Sequence, residues 1–144
     1  MTYSRYDFSE EPLMEIICDT SFLIALVSNP IKCLDKIENE IGKLKFIVPT
    51  FVLDELDSIE RRSGPKKSMF AKTAIHISKL KFEIKDIGKS KNVDNEILNY
   101  VTKNKKLGVA TLDGKLLNRL RMADVTTITL SKNKMIIKNR YFEG

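Results

Sequence analysis

The chain has 144 residues, 42% hydrophobic and 31% charged, with 25 Lys and Arg against 19 Asp and Glu and a formal charge of +6. That length suits a single domain, residues 1–144, built on one core, and the composition excludes a disordered polymer. The apolar run Phe22–Val27 is too short to span a bilayer, so no membrane partner is expected, whereas the cationic surplus favours a polyanion such as RNA.

Residues 1–13 carry no positive stretch leading into an apolar one, and read as a flexible or peripheral segment rather than a secretory signal. Glu15–Cys18 is a short apolar strand, and Asp19-Thr20-Ser21 leads from it into the helical run Phe22–Val27. Pro30 opens a second helix, with Ile31, Leu34, Ile37 and Ile41 at spacings of three and four. Lys45–Val48 is the next strand, stopped at Pro49, and a helix follows over Thr50–Arg62 until Ser63-Gly64-Pro65 breaks it. Lys66–Leu80 reads as a helix and Phe82–Ile87 as a strand. Helices over Asp94–Lys103 and Asp113–Met122 enclose the strand Val109–Leu112, and Val125–Leu130 with Met135–Lys138 forms a terminal hairpin across Lys132-Asn133. Strands alternating with helices of this length require crossovers, hence a largely parallel sheet with its ligands at the carboxyl ends of the strands. Cys18 and Cys33 lack any CxxC or Cys/His companion and read as small buried hydrophobes in a reducing, cytoplasmic compartment.

Carboxylates occur where helical periodicity asks for hydrophobes. Asp94 lies three, four and seven residues before Ile97, Leu98 and Val101, on the same face, and Asp113 stands in the same relation to Leu116, Leu117 and Leu120. Each also suits an N-cap, a role compatible with ion binding because the helix dipole favours the ionised form. Asp19 follows a strand that should be central, where α/β sites form, and it too could serve as a cap. Glu55 falls about 60° from Val52 on the face that carries Leu56 and Ile59; a boundary glutamate with its head in water is the plainer reading. Asp54 and Asp57 fall on the outer face. Converging carboxylates repel one another unless a divalent cation compensates them, and hard oxygen donors select Mg²⁺ or Mn²⁺. His76, the single histidine, reads as packing or surface.

The segments Ile17–Ile24, Val48–Leu56, Val93–Leu98 and Val109–Leu117 together resemble the four acidic motifs of the PIN-domain family, in order along the chain. The resemblance implies a three-layer α/β/α sandwich around a mostly parallel sheet of about five strands. It further implies a metal-dependent endoribonuclease in which Asp19, Glu55, Asp94 and Asp113 surround one or two Mg²⁺ or Mn²⁺ ions. Asp19 and Asp113 would ligate directly, Asp94 would complete the set and Glu55 would position water, with Thr20, Ser21 and Thr111 orienting these groups. The third motif often reads Asp-Asp in the family and here is Asp94-Asn95. Arg61, Arg62, Lys66, Lys67, Arg119 and Arg121 are the expected RNA contacts, with Lys103, Lys105 and Lys106 a further cluster.

Val48-Pro49-Thr50 and the tail after Asp113 are similar to archaeal PIN proteins related to ribosomal-RNA maturation nucleases, with ribosome precursors as the implied partner. A VapC-type toxin with an antitoxin partner, a homodimer, and a catalytically silent RNA-binding module all remain open. A phosphotransfer enzyme is disfavoured, because Asp19-Thr20-Ser21 lacks the second aspartate of a DxD nucleophile and no GxxxxGK[ST] loop is present.

Overall fold

The computed structural model describes residues 14–28, 44–89, 92–104, 106–131 and 134–138. In chain order these form β1 (Met14–Cys18), α1 (Thr20–Ser28), β2 (Leu44–Pro49), α2 (Thr50–Arg62), α3 (Pro65–Lys81), β3 (Glu83–Lys85), α4 (Val93–Lys103), β4 (Gly108–Ala110), α5 (Gly114–Met122), β5 (Thr126–Ser131) and β6 (Lys134–Lys138). The segment 1–13, the helix expected from Pro30, Cys33 and Lys105 lie outside the described residues, as does the Lys132-Asn133 turn.

One sheet of six strands runs in the order β3-β2-β1-β4-β5-β6. Every pairing is parallel except that of β5 with β6, which is antiparallel. All six are strands that the sequence pattern marks, β6 being the second arm of the terminal hairpin, where the resemblance implied about five. Successive residues of a strand face opposite sides, so the full burial of both Ile16 and Ile17 means that both faces of β1 are covered. Helices α1, α2 and α3 pack on one another, and α4 packs on α5. Phe22 of α1 stacks on Phe46 of β2 at 6.1 Å, and Phe46 meets Phe82 at 5.5 Å.

Two strands are shorter than their sequence pattern suggests, for local reasons. Phe82 belongs to the end of α3, its N–H bonded to Ser78 O, and the Asp86 side chain accepts from Gly88 N to turn the chain after Lys85. Beyond β4 the Thr111 N–H still reaches Ile128 O, but the following N–H groups turn away: Leu112 N donates to Ser21 Oγ and Asp113 N to Thr111 Oγ1. Glycine suits the crowded start of β4, since a Cβ on Gly108 would lie 2.7 Å from Ile16 Cδ1 and 3.2 Å from the Thr126 carbonyl, so both neighbours would have to shift.

α5 ends on paired bonds, Asp124 N to Arg121 O at 3.0 Å and Val125 N to Leu120 O at 2.9 Å, a Schellman turn. Asp124 holds its left-handed position at φ 61°, where glycine is usual. This turn delivers the chain into β5.

Between β1 and β4 the strand order reverses: the chain moves from β1 outward to β2 and β3, then returns to the other side of β1. The carboxyl ends of these two neighbouring strands therefore flank a crevice. Among the described residues, no helix is long and apolar enough to cross a membrane.

Candidate active site

A cleft of about 710 Å³ opens at that crevice, and Asp19, Glu55, Asp94 and Asp113 all line it. They come from four separate places: the end of β1, the second turn of α2, the first turn of α4 and the residue before α5. Only the parallel topology gathers them.

Asp19 is 4% exposed, a buried carboxylate at the tip of a central strand. Its N–H donates to Ala110 O at 2.9 Å, joining it to the end of β4. Its Oδ2 accepts from Thr111 Oγ1 at 2.7 Å and from Ser21 Oγ at 3.0 Å. Each of these hydroxyls in turn accepts a backbone N–H, Ser21 from Leu112 and Thr111 from Asp113. Ser21 Oγ and Thr111 Oγ1 also lie 3.1 Å apart, so the two hydroxyls and the Asp19 carboxylate form one hydrogen-bonded cluster. Burial pushes the Asp19 carboxyl above the usual range, a neighbouring Glu55 adds to this, and the Thr111, Ser21 and Thr20 donors oppose it.

Asp113 caps α5, its Oδ1 accepting from Lys115 N at 2.8 Å and Leu116 N at 3.1 Å. Capping thus occupies one oxygen and leaves Oδ2 without a hydrogen bond among the described residues. Asp94 is not a cap. Asn92 fills that role for α4, accepting from Asn95 N at 3.0 Å, and Asp94 sits half-buried within the first turn. Its carboxyl is raised by burial first, then by Asp19, Asp113 and Glu55, while Arg119 works the other way. Glu55 is half-buried beside the buried Val52, Leu56 and Ile59, and its Oε1 accepts from Thr20 Oγ1. Asp54 and Asp57 are exposed.

Of the expected RNA contacts, Lys67 lines the cleft. Arg119 is exposed on α5 outside the cleft lining, and donates from Nη1 to Asn95 Oδ1 at 3.0 Å. Arg61 pairs with Asp57 at 3.1 Å and Arg62 Nε bonds Ser58 Oγ at 3.1 Å, both on the exposed end of α2. Lys66, Lys103, Lys106 and Arg121 are exposed and outside the cleft lining. Sequence reasoning missed the apolar wall of the cleft, where Ile24, Ile59 and Leu112 take part; it read Ile59 as an inward-facing helix residue and Leu112 as part of a strand. His76 is exposed on α3, and Cys18 is buried, its thiol pushed up by burial and by Asp19.

The donor set is all oxygen, from four carboxylates and the Thr20 and Ser21 hydroxyls, which suits a hard divalent cation. Among the described residues, none of the four carboxylates has a Lys, Arg or His ion-pair partner. Among the described residues, the cleft therefore gathers four carboxylates without an ion pair, with Lys67 in its lining and Arg119 opposing the upward shift of Asp94. No three of these groups are gathered as a ready ligand cage among the described residues. Mg²⁺ does not require one, because it commonly binds one or two carboxylates and keeps its remaining waters.

A family model described as a PIN like domain matches residues 16–133. Among solved structures, the PIN domain endonuclease Utp24 superposes with a TM-score of 0.70 at 20% identity, over 90% of this chain and 95% of that one. PAE2754 from Pyrobaculum aerophilum superposes with a TM-score of 0.50 at 19% identity, over 83% of this chain and 88% of that one. No curated protein matches the sequence. At these identities the two structures speak to the fold, and the family model spans most of the chain: the protein belongs to the PIN-like domain family.

Proposed function

We propose that the protein is a metal-dependent endoribonuclease with Asp19, Glu55, Asp94 and Asp113 as its acidic centre. The observation that carries this reading is the convergence of the four carboxylates on one cleft at the strand-order reversal, with no basic side chain among the described residues paired to them. The fold neighbour Utp24, named as an endonuclease, supports the same chemistry.

Asp19, Asp113 and Asp94 would hold one or two Mg²⁺ or Mn²⁺ ions, which when bound supply Lewis-acid polarisation of the phosphodiester and acidify water. The residues themselves have separable tasks. Ser21 and Thr111 fix the rotamer of Asp19 and favour its ionised form. The N-terminal turn of α5 holds one oxygen of Asp113 and leaves the other for the cleft. Thr20 orients Glu55, which positions the attacking water. Lys67 offers a cation to the phosphate backbone. Ribosomal-RNA maturation as the setting, and a cytoplasmic location, rest on the sequence resemblance and on the buried free thiol of Cys18.

A second reading is a catalytically silent RNA-binding module on the same fold. Cleavage of a labelled structured RNA with Mn²⁺, with EDTA, and by the Asp19→Asn/Asp113→Asn variant separates the two. Asn caps a helix as well as Asp does, so Asp113→Asn tests chemistry and not folding. Metal-dependent cutting lost in the variant supports the nuclease. Binding without cutting moves the silent module ahead, and near-native cutting by the variant removes these residues from the centre.

A further inference from the structure

Resting on the reading of this cleft as an RNA site, we propose that Arg119, held in place by Asn95, grips a backbone phosphate of the RNA beside the acidic centre. Asn95 is then a positioning residue. The observation is the bond from Arg119 Nη1 to Asn95 Oδ1 at 3.0 Å, which spans α4 and α5 next to Asp94. The backbone of Asn95 is held by the Asn92 cap, which accepts from its N–H, and its side-chain oxygen accepts from Arg119. A guanidinium has five N–H donors, so one bond to Asn95 leaves four for a ligand.

Charge gives the reason for the arrangement. A polyanion approaching four carboxylates needs fixed cations at the rim even where metal ions neutralise the centre. Lys67 supplies one within the cleft lining from α3, and Arg119, exposed on α5 just outside that lining, supplies the other to RNA that extends past the cleft. The neutral amide of Asn95 matters here. An aspartate at that position would pair with Arg119 as an ion pair, cancel its charge and add a fifth negative group beside Asp94. Asn95 holds the guanidinium in place and leaves its charge available. The Asp94-Asn95 sequence, which reads as a missing acid, is on this account the support for a cation.

The test is binding of a labelled single-stranded RNA by the full chain in EDTA, measured across a salt series, for wild type and for Arg119→Gln, Arg119→Lys, Asn95→Ala, Asn95→Ala/Arg119→Gln and Lys138→Gln. Lys138 is exposed on the edge strand β6 and controls for loss of one charge from the molecule. Arg119→Gln should bind roughly tenfold more weakly, with the slope of log affinity against log salt reduced by about 0.7. Arg119→Lys should recover the slope and only part of the affinity, since Lys has the charge but not the fork. Asn95→Ala should weaken binding in the wild-type background and add nothing once Arg119 is Gln. Thermal midpoints should be unchanged, since both groups are exposed. Arg119→Gln behaving like Lys138→Gln, or additive effects of Asn95→Ala and Arg119→Gln, would overturn the proposal. Wild type that does not bind RNA in EDTA overturns the grip, and cleavage in Mn²⁺ then decides the nuclease reading separately. Wild type that binds through Arg119 yet cuts nothing with Mn²⁺ upholds the grip and sinks the nuclease.

Discussion

Replacing Thr111 by Val removes one hydroxyl at the joint between Asp19 and Asp113 while nearly keeping the side-chain shape. Thr111 is fully buried, donates to Asp19 Oδ2 at 2.7 Å and accepts from Asp113 N at 3.1 Å. Loss of the first bond removes a charge-assisted donor worth about 1.5–3 kcal/mol, and loss of the second leaves an N–H unpaired at a cost of about 1–3 kcal/mol. Ser21 still serves Asp19 and water reaches part of the cleft, so the net destabilisation should be about 2–5 kcal/mol. For a chain of this length that lowers the thermal midpoint by roughly 5–15 °C. Thr111→Ser keeps the hydroxyl and loses one buried methyl, about 1 kcal/mol. Denaturant unfolding of both variants, with RNA cleavage in Mn²⁺ alongside, reads the difference. The Val variant should be the less stable and should lose most of its cleavage, because Asp19 is free to turn; the Ser variant should keep its cleavage. If Val and Ser are equally stable and equally active, Thr111 is core filling and the hydroxyl relay has no function.

Further outcomes follow from the same structure. Asp19 and Asp94 both have carboxyls raised above the ordinary value of 3.8, chiefly by burial, so the folded state holds their protons more tightly than the unfolded state. Their contribution to stability is complete below that value and is lost as pH rises through the raised ones. Metal-free wild type should therefore lose stability from about pH 4 upward relative to Asp19→Asn/Asp94→Asn, and parallel stability-versus-pH curves in EDTA would contradict this. Saturating Mn²⁺ at about a hundred times its dissociation constant should add about 2.7 kcal/mol to wild type, roughly 5–11 °C in thermal midpoint. A scan of Asp19→Asn should show little of that shift; an equal shift would place the ion elsewhere. Asp124→Val should destabilise the protein by about 1–2 kcal/mol, since a β-branched residue resists the left-handed turn after α5; unchanged unfolding would argue against that turn. Gly108→Ala, measured in the same way, should cost about 1–3 kcal/mol by crowding Ile16 and the Thr126 carbonyl.

Much of this protein is legible from periodicity and spacing. The alternation of apolar strands with helices dictates a parallel sheet, because parallel neighbours need crossovers, and the bounds of α2 were readable to the residue from Pro49 and the Ser63-Gly64-Pro65 break. The carboxylates of Asp94 and Asp113 stand out because a face otherwise apolar begins with a charge. Other properties depend on contacts between distant segments, which no local pattern encodes. Asp94 and Asp113 look alike in sequence, yet only Asp113 is a cap, because Asn92 takes that role for α4. Strand lengths were overestimated where side chains drew the backbone off the ladder, as Ser21 and Thr111 do beyond β4. The pairing of Arg119 with Asn95 spans two helices, and nothing in either stretch announces it. The sequence by itself determined which groups are chemically capable, through residue type and helical phase. The tertiary structure decided which of them share a cleft, because strand order alone brings the end of β1 beside the end of β4 and sets Asp19 within reach of Thr111.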